Sequence, residues 1–293
     1  MKKCTLILYC FAIFALFSCS GKPDQPNVDF NQLEKDYSKW AIYHNEHIHL
    51  SLKFTALDIS GNEISKGAFL NSLTTGNFIP VEVVSKDNTT YELFKLDHTA
   101  NSGISRAIKM YAYMATKNFA LVGRPVPEFN FTDLNGVVYN NANTKGKTII
   151  FKCWFVRCHA CVAEFPVLNE FVQKYKSRKD VLFVSLALDE KDALVKFLST
   201  KTFDYAVIPL QKDLIVNTMK IGSYPTHIIV DKNGIIQTVT NDADEMISAF
   251  ENRKPSSRSK RQNIKPSLNS DFSTPPPPPP PSGPPPPPPP PAV

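Results

Sequence analysis

Two periods of apolar residues run through the second half of the chain. Residues 148–154 (T-I-I-F-K-C-W) are apolar almost throughout, which predicts a short strand buried on both faces. From Cys158 to about Tyr175 the spacing changes: Cys161, Phe165, Leu168, Phe171, Val172 and Tyr175 recur at helical intervals. Residues 181–188 (V-L-F-V-S-L-A-L) predict another buried strand, and 190–198 a helix with Ala193, Leu194, Phe197 and Leu198 inward. A strand at 205–210, a helix at 214–221, a hairpin of 226–230 with 235–240, and a closing helix at 244–251 complete the series. Strands alternating with helices and ending in a hairpin predict an α/β fold, a mixed sheet flanked by helices.

The preceding residues have a different rhythm. Residues 47–58 (H-I-H-L-S-L-K-F-T-A-L-D) alternate, which predicts a half-solvated strand with His47 and His49 on its outer face. A turn at Gly61-Asn62, a short helix at 66–73, a hairpin of 78–85 with 90–96, and a helix at 102–119 follow. Residues 33–120 are thus expected to form a small α+β domain, and residues 121–252 a second domain. The second opens on Gly123-Arg-Pro-Val-Pro-Glu-Phe129 and a hairpin turning at Asp133–Gly136.

The two ends carry neither period. Residues 1–18 place Lys2 and Lys3 before an apolar run from Leu6 to Phe17, too short to span a bilayer and typical of an export signal. Ser18-Cys19, with Leu16 three positions before the cysteine, resembles a bacterial lipoprotein signal and implies lipidation of Cys19; an ordinary signal peptide or an uncleaved anchor is the alternative. Residues 19–32 form a polar tether. Residues 253–293 are expected to be a disordered polyproline tail: Pro275–Pro281 and Pro284–Pro291 would extend about 50 Å as a polyproline II rod, either a spacer or a ligand for an unknown partner.

Charge adds an exclusion. The chain's net +6 resides at its ends, since Lys2 and Lys3 and the net +5 of residues 253–293 leave −1 for residues 4–252. A nearly neutral body argues against a nucleic-acid surface. Of six cysteines, Cys4, Cys10 and Cys19 lie in the targeting region, leaving Cys153, Cys158 and Cys161, too few for a disulfide framework. A close pair at the start of a helix sits among unpaired N–H groups that favour thiolate, so the candidate chemistry is thiol–disulfide exchange. His44, His47 and His49 with Glu46 also have the chemistry of a metal site, although the outer-face reading of the strand places two of them in solvent.

Taken together, several of these residues resemble the thioredoxin superfamily, and within it the exported TlpA/ResA-like thiol–disulfide oxidoreductases. The likeness spans about residues 121–252 and rests on Gly123, Pro125, Pro127 and Phe129, the Asp133–Gly136 turn, Trp154, Cys158-His-Ala-Cys161, Glu164, Pro166, Tyr224-Pro225-Thr226 and Asp231–Gly234. It implies a cis peptide before Pro225, in a loop (Tyr224, Pro225, Thr226) that faces the cysteines. It also implies that Cys158 is the nucleophile and Cys161 the resolving thiol, with Glu164 exchanging the Cys161 proton from a carboxyl raised by desolvation. Arg157 and His159 would stabilise the Cys158 thiolate. Lys152 departs from the superfamily, where a buried acid is usual. It either pairs with Glu164, keeping that carboxylate charged, or reaches solvent.

The resemblance implies protein thiols and disulfides as substrates, a membrane electron donor, a lipid-anchored cell-envelope location facing the periplasm, no metal and no cofactor. A redoxin-type peroxidase needs a Pro/Thr-containing loop ahead of its helix, which Val156-Arg157 does not supply. A metallochaperone using Cys158, Cys161 and a histidine such as His227, and a non-catalytic binding lipoprotein, stay open.

Overall fold

The computed structural model describes residues 29–83 and 88–253. The signal segment, Cys19, most of the tether, and the polyproline tail beyond residue 253 lie outside the described residues. Two sheets organise what is described, each with its own core. In the first half, α1 (Phe30–Leu33) and α2 (Tyr37–His47) lead into β1 (Thr55–Leu57), β2 (Glu63–Ile64), α3 (Lys66–Thr74), β3 (Phe78–Val83), β4 (Thr90–Lys95) and α4 (Ser102–Phe119). The sheet order is β2-β1-β4-β3, with β1 parallel to β4 and the other pairs antiparallel. Trp40, Phe69, Leu70, Leu73, Ile79, Tyr91, Ile104 and Ile108 fill its core.

The alternating stretch at 47–58 is the main correction in this half. Asp36 caps α2 by accepting from the Ser38 and Lys39 N–H groups, and the helix runs on through His47. Only residues 55–57 pair as a strand. Between them the backbone bonds locally, with the Leu52 N–H donating to the His49 carbonyl and the Lys66 ammonium donating to the Leu52 carbonyl. Ile48 and Leu50 are still buried, as the alternation requires, but through a compact turn.

The second half begins with a hairpin, β5 (Asn130–Thr132) and β6 (Val138–Asn140). Its main sheet is built from β7 (Thr148–Trp154), β8 (Val181–Ala187), β9 (Ala206–Ile208), β10 (Thr226–Val230) and β11 (Ile236–Thr240), in the order β11-β10-β7-β8-β9. β7, β8 and β9 are parallel, and β10 runs antiparallel to both β7 and β11. Apolar residues such as Ile150 and Phe151 pack on opposite sides of the central β7, which explains its unbroken hydrophobic run. This is a mixed sheet flanked by helices, the thioredoxin-like α/β fold.

Three local differences from the expected elements matter. The single helix expected from Cys158 to Tyr175 is two, α5 (His159–Ala163) and α6 (Phe165–Tyr175), meeting at Glu164. Pro166 has no N–H to give to Val162, so the regular ladder cannot continue, and the Glu164 N–H takes the Val162 carbonyl in a tighter turn. The helix expected at 214–221 is a π-helical turn, Asp213–Thr218, where the Met219 N–H reaches five residues back to Leu214. Ala193, expected inward on α7 (Lys191–Leu198), is exposed, and Leu194 carries that helix's buried contact. α8 (Ala243–Glu251) closes the chain's described part.

The two halves meet through specific polar contacts. His49 Nδ1 lies 3.1 Å from Glu245 Oε1 on α8, and Asn118 Nδ2 at the end of α4 donates to Asn241 Oδ1 at 2.8 Å. Lys66, half-buried beside this junction, is pushed down to about 8 by desolvation, which Glu245 partly opposes.

Candidate active site

The cysteine pair stands where β7 gives way to α5. Cys158 occupies the N-cap position with extended backbone, and its Sγ accepts the Cys161 N–H at 3.2 Å. The two sulfurs form a disulfide closing a loop three residues apart. Cys158 retains 8% exposure and Cys161 none, so the first sulfur is the one a partner can approach. Trp154, fully buried, closes the same cluster by packing edge-on against Phe165 and Phe203. Arg157 and His159 are both exposed beside the pair.

The Tyr224–Pro225 peptide bond is cis. Tyr224 packs into the cysteine cluster and meets Phe155 edge-on at 5.4 Å. Hydrogen bonds hold this loop from behind. Thr226 Oγ1 donates to the Ser223 carbonyl at 2.6 Å, and Asn241 Nδ2 lies 2.8 Å from both the Pro225 carbonyl and Thr226 Oγ1. Asp189, two residues past the end of β8, accepts the Val156 N–H at 2.8 Å, fixing the backbone two residues before Cys158.

A charged cluster lies in the sheet one turn beyond Cys161. Lys152, with no exposed surface, places its Nζ 2.5 Å from Glu164 Oε2. His227, equally buried, sits directly across from Lys152 in the β7–β10 register, and its Nε2–H donates to the same oxygen at 3.0 Å. The other carboxylate oxygen accepts the Ala243 N–H at 3.0 Å in the first turn of α8, where the helix dipole also favours an anion. Burial alone would raise the Glu164 carboxyl. The charge and hydrogen bond of His227, and then those of Lys152, outweigh it and hold the group down at about 2.

That corrects the expectation of a raised Glu164 pKa. Desolvation is present, but three donors converge on the carboxylate. Lys152 is also lowered from its ordinary value, by burial with Glu164 opposing.

A pH dependence follows from Glu164. Its folded pKa is depressed below 4.5, so its contribution to stability is present above that value and is lost as pH falls toward 2. In urea titrations of the oxidised protein, the difference in unfolding free energy between wild type and Glu164→Gln is expected to shrink across that window. A difference that stays constant from neutral pH downward would contradict the assignment.

Sequence reasoning missed three contributors. His227 entered only as a possible soft-metal ligand, although a histidine inside the otherwise apolar T-H-I-I-V strand was a usable signal. Asp189, following the last residues of a buried strand, and Asn241, following another, offered no pattern in sequence. The histidines of the first half are not assembled into a site: His47 pairs with Glu82, His49 with Glu245, and His44 stacks on Tyr111. Among the described residues no group of three or more His, Cys, Asp or Glu is placed to hold a metal ion.

A mixed sheet with a cysteine disulfide at the junction of its central strand and a helix, beside a cis-proline loop, defines a thioredoxin-fold redox protein. Comparisons with known proteins agree. The family model described as AhpC/TSA family matches residues 122–239. The chain is 30% identical over 141 residues to the thiol-disulfide oxidoreductase ResA of Bacillus thuringiensis (strain Al Hakam), covering 47% of this chain and 81% of that protein. It is 27% identical over 118 residues to the thioredoxin-like protein YneN of Bacillus subtilis (strain 168), covering 40% and 69%. Among solved structures, it is similar to the thioredoxin domain of a thiol-disulfide oxidoreductase from Bacteroides vulgatus, with 24% identity, 45% and 96% coverage and a TM-score of 0.41. The chain belongs to the ResA-like thiol–disulfide oxidoreductases, redox enzymes of the thioredoxin fold.

Proposed function

We propose that the enzyme exchanges disulfides with protein substrates at the cell envelope through Cys158 and Cys161. The observation that carries this reading is the Cys158–Cys161 disulfide itself, with the more accessible sulfur at a helix N-cap. In the reduced enzyme the Cys158 thiolate attacks one sulfur of a substrate disulfide. The S–S bond breaks, the departing substrate sulfur leaves as a thiolate and takes up a proton, and a mixed disulfide forms. The Cys161 thiolate then attacks Cys158 Sγ, releasing the second substrate thiol and restoring the internal disulfide. Two electrons pass to the substrate, and a membrane dithiol donor returns them to the pair.

Arg157 and His159 favour the Cys158 thiolate, and the Tyr224-Pro225-Thr226 loop carries the substrate backbone past it. Glu164, clamped by Lys152 and His227, fixes a negative charge one turn from Cys161. Residues 121–252 act as the exchange domain and residues 33–120 as an accessory domain. Export through residues 1–18 and a lipid on Cys19 would tether both to a membrane. Among the described residues no helix is long and apolar enough to cross one. The direct test is reduction of insulin by dithiothreitol. The enzyme is expected to accelerate precipitation of the insulin B chain, and a rate equal to dithiothreitol alone would remove the proposal.

A further inference from the structure

Behind the cis-proline loop lies a pocket of about 220 Å³ shared by the two halves of the molecule. One wall is α4, with the exposed Tyr113 and Lys117 and the buried Asn118; the other is the segment leading to the loop, with Lys220, Ile221 and Ser223. Drug-sized sites occupy roughly 300–1,000 Å³, so this one fits a side chain or two better than a cofactor.

Its polar floor is wired to the loop. Asn118 donates to Asn241, which in turn bonds the Pro225 carbonyl and Thr226 Oγ1, and Thr226 bonds the carbonyl of Ser223 in the pocket wall. Its charge is one-sided. Lys117 and Lys220 are exposed, no acidic residue lines the pocket, and neither lysine has a carboxylate partner among the described residues. Lys117 rests over the Tyr113 ring, 5.4 Å from its centre. Lys220 is held with φ of 57°, a left-handed conformation costly for a lysine and of the kind that gathers at functional sites.

We propose that this pocket receives an acidic segment of the protein whose disulfide is exchanged at Cys158. The inference rests on the exchange reading above and adds the partner's chemistry. A substrate strand leaving the cis-proline loop would continue onto α4, with its carboxylates between Lys117 and Lys220 and its apolar groups against Tyr113 and Ile221. The chain's own tail is a poor occupant, because residues 253–293 carry a net charge of +5. The site is concave and adjoins the loop, which suits a peptide better than a flat membrane surface.

The test uses the full-length protein and the charge reversal Lys117→Glu/Lys220→Glu, both at exposed positions where folding is not at stake. Binding is read by fluorescence anisotropy of a labelled, cysteine-free tetraglutamate peptide. A tetralysine peptide and phosphatidylglycerol vesicles serve as the contrasting probes. The acidic peptide is expected to bind wild type about tenfold more tightly than the variant, an advantage that added salt removes. With disulfide peptides flanked by Glu or by Lys, the wild-type preference for Glu flanks is expected to fall about tenfold in the variant, through KM rather than kcat. Equal binding of the acidic peptide to both proteins, equal affinity for both peptides, or capture by vesicles without peptide binding would each overturn the proposal. Acidic-peptide binding without any turnover would uphold the pocket and remove the exchange reading.

Discussion

Serine in place of Cys158 is expected to return insulin reduction to the rate of dithiothreitol alone. A serine hydroxyl cannot form or resolve a disulfide, so the first bond of the exchange is lost outright. Among the described residues no other thiol can substitute. Cys161 is fully buried behind Cys158, and Cys153 lies near the end of β7 with no exposed surface. Burial pushes the Cys153 thiol up to about 12, slightly offset by Lys152, so it stays protonated and unreactive at neutral pH. Residual activity above that of the reductant would mean that electrons enter by another route.

The second large effect concerns stability. Lys152 and His227 have no exposed surface and share one oxygen of Glu164, so removing a member strands a charge in a dry site. Glu164→Gln leaves the Lys152 ammonium without its counter-charge, and a loss of about 3–5 kcal/mol is expected on urea unfolding of the oxidised protein. Lys152→Met is expected to cost less, because Glu164 keeps His227 and the Ala243 N–H. The double variant Lys152→Met/Glu164→Gln should be markedly more stable than the sum of the single losses, since neither charge then remains unpaired. Additive losses would show that the two side chains are energetically independent.

The sequence made some of this arrangement legible and hid the rest. Strand β7 could be bounded from its continuous apolar run, and α4 from its amphipathic stripe, because a buried parallel strand and a surface helix leave distinct periods. The cysteine spacing announced the chemistry. Residues 47–58 misled because alternation reports which side chains are buried without saying that a strand buries them. The break at Glu164 was marked by Pro166, yet the apolar spacing runs smoothly across it. What sequence could not supply was register. Lys152 and His227 are 75 positions apart and meet only because β7 and β10 pair antiparallel with those two residues opposite. The same applies to Asn118 and Asn241, and to Asp189 beneath Val156.

The most direct measurement is the capture of substrate by Cys161→Ala. With the resolving thiol removed, the exchange should stall after its first step. Mass spectrometry of the reduced variant mixed with a disulfide-bonded protein is expected to show one adduct, joined through Cys158 and released by dithiothreitol. No adduct, or one joined through Cys153, would contradict the assignment of Cys158 as the attacking sulfur.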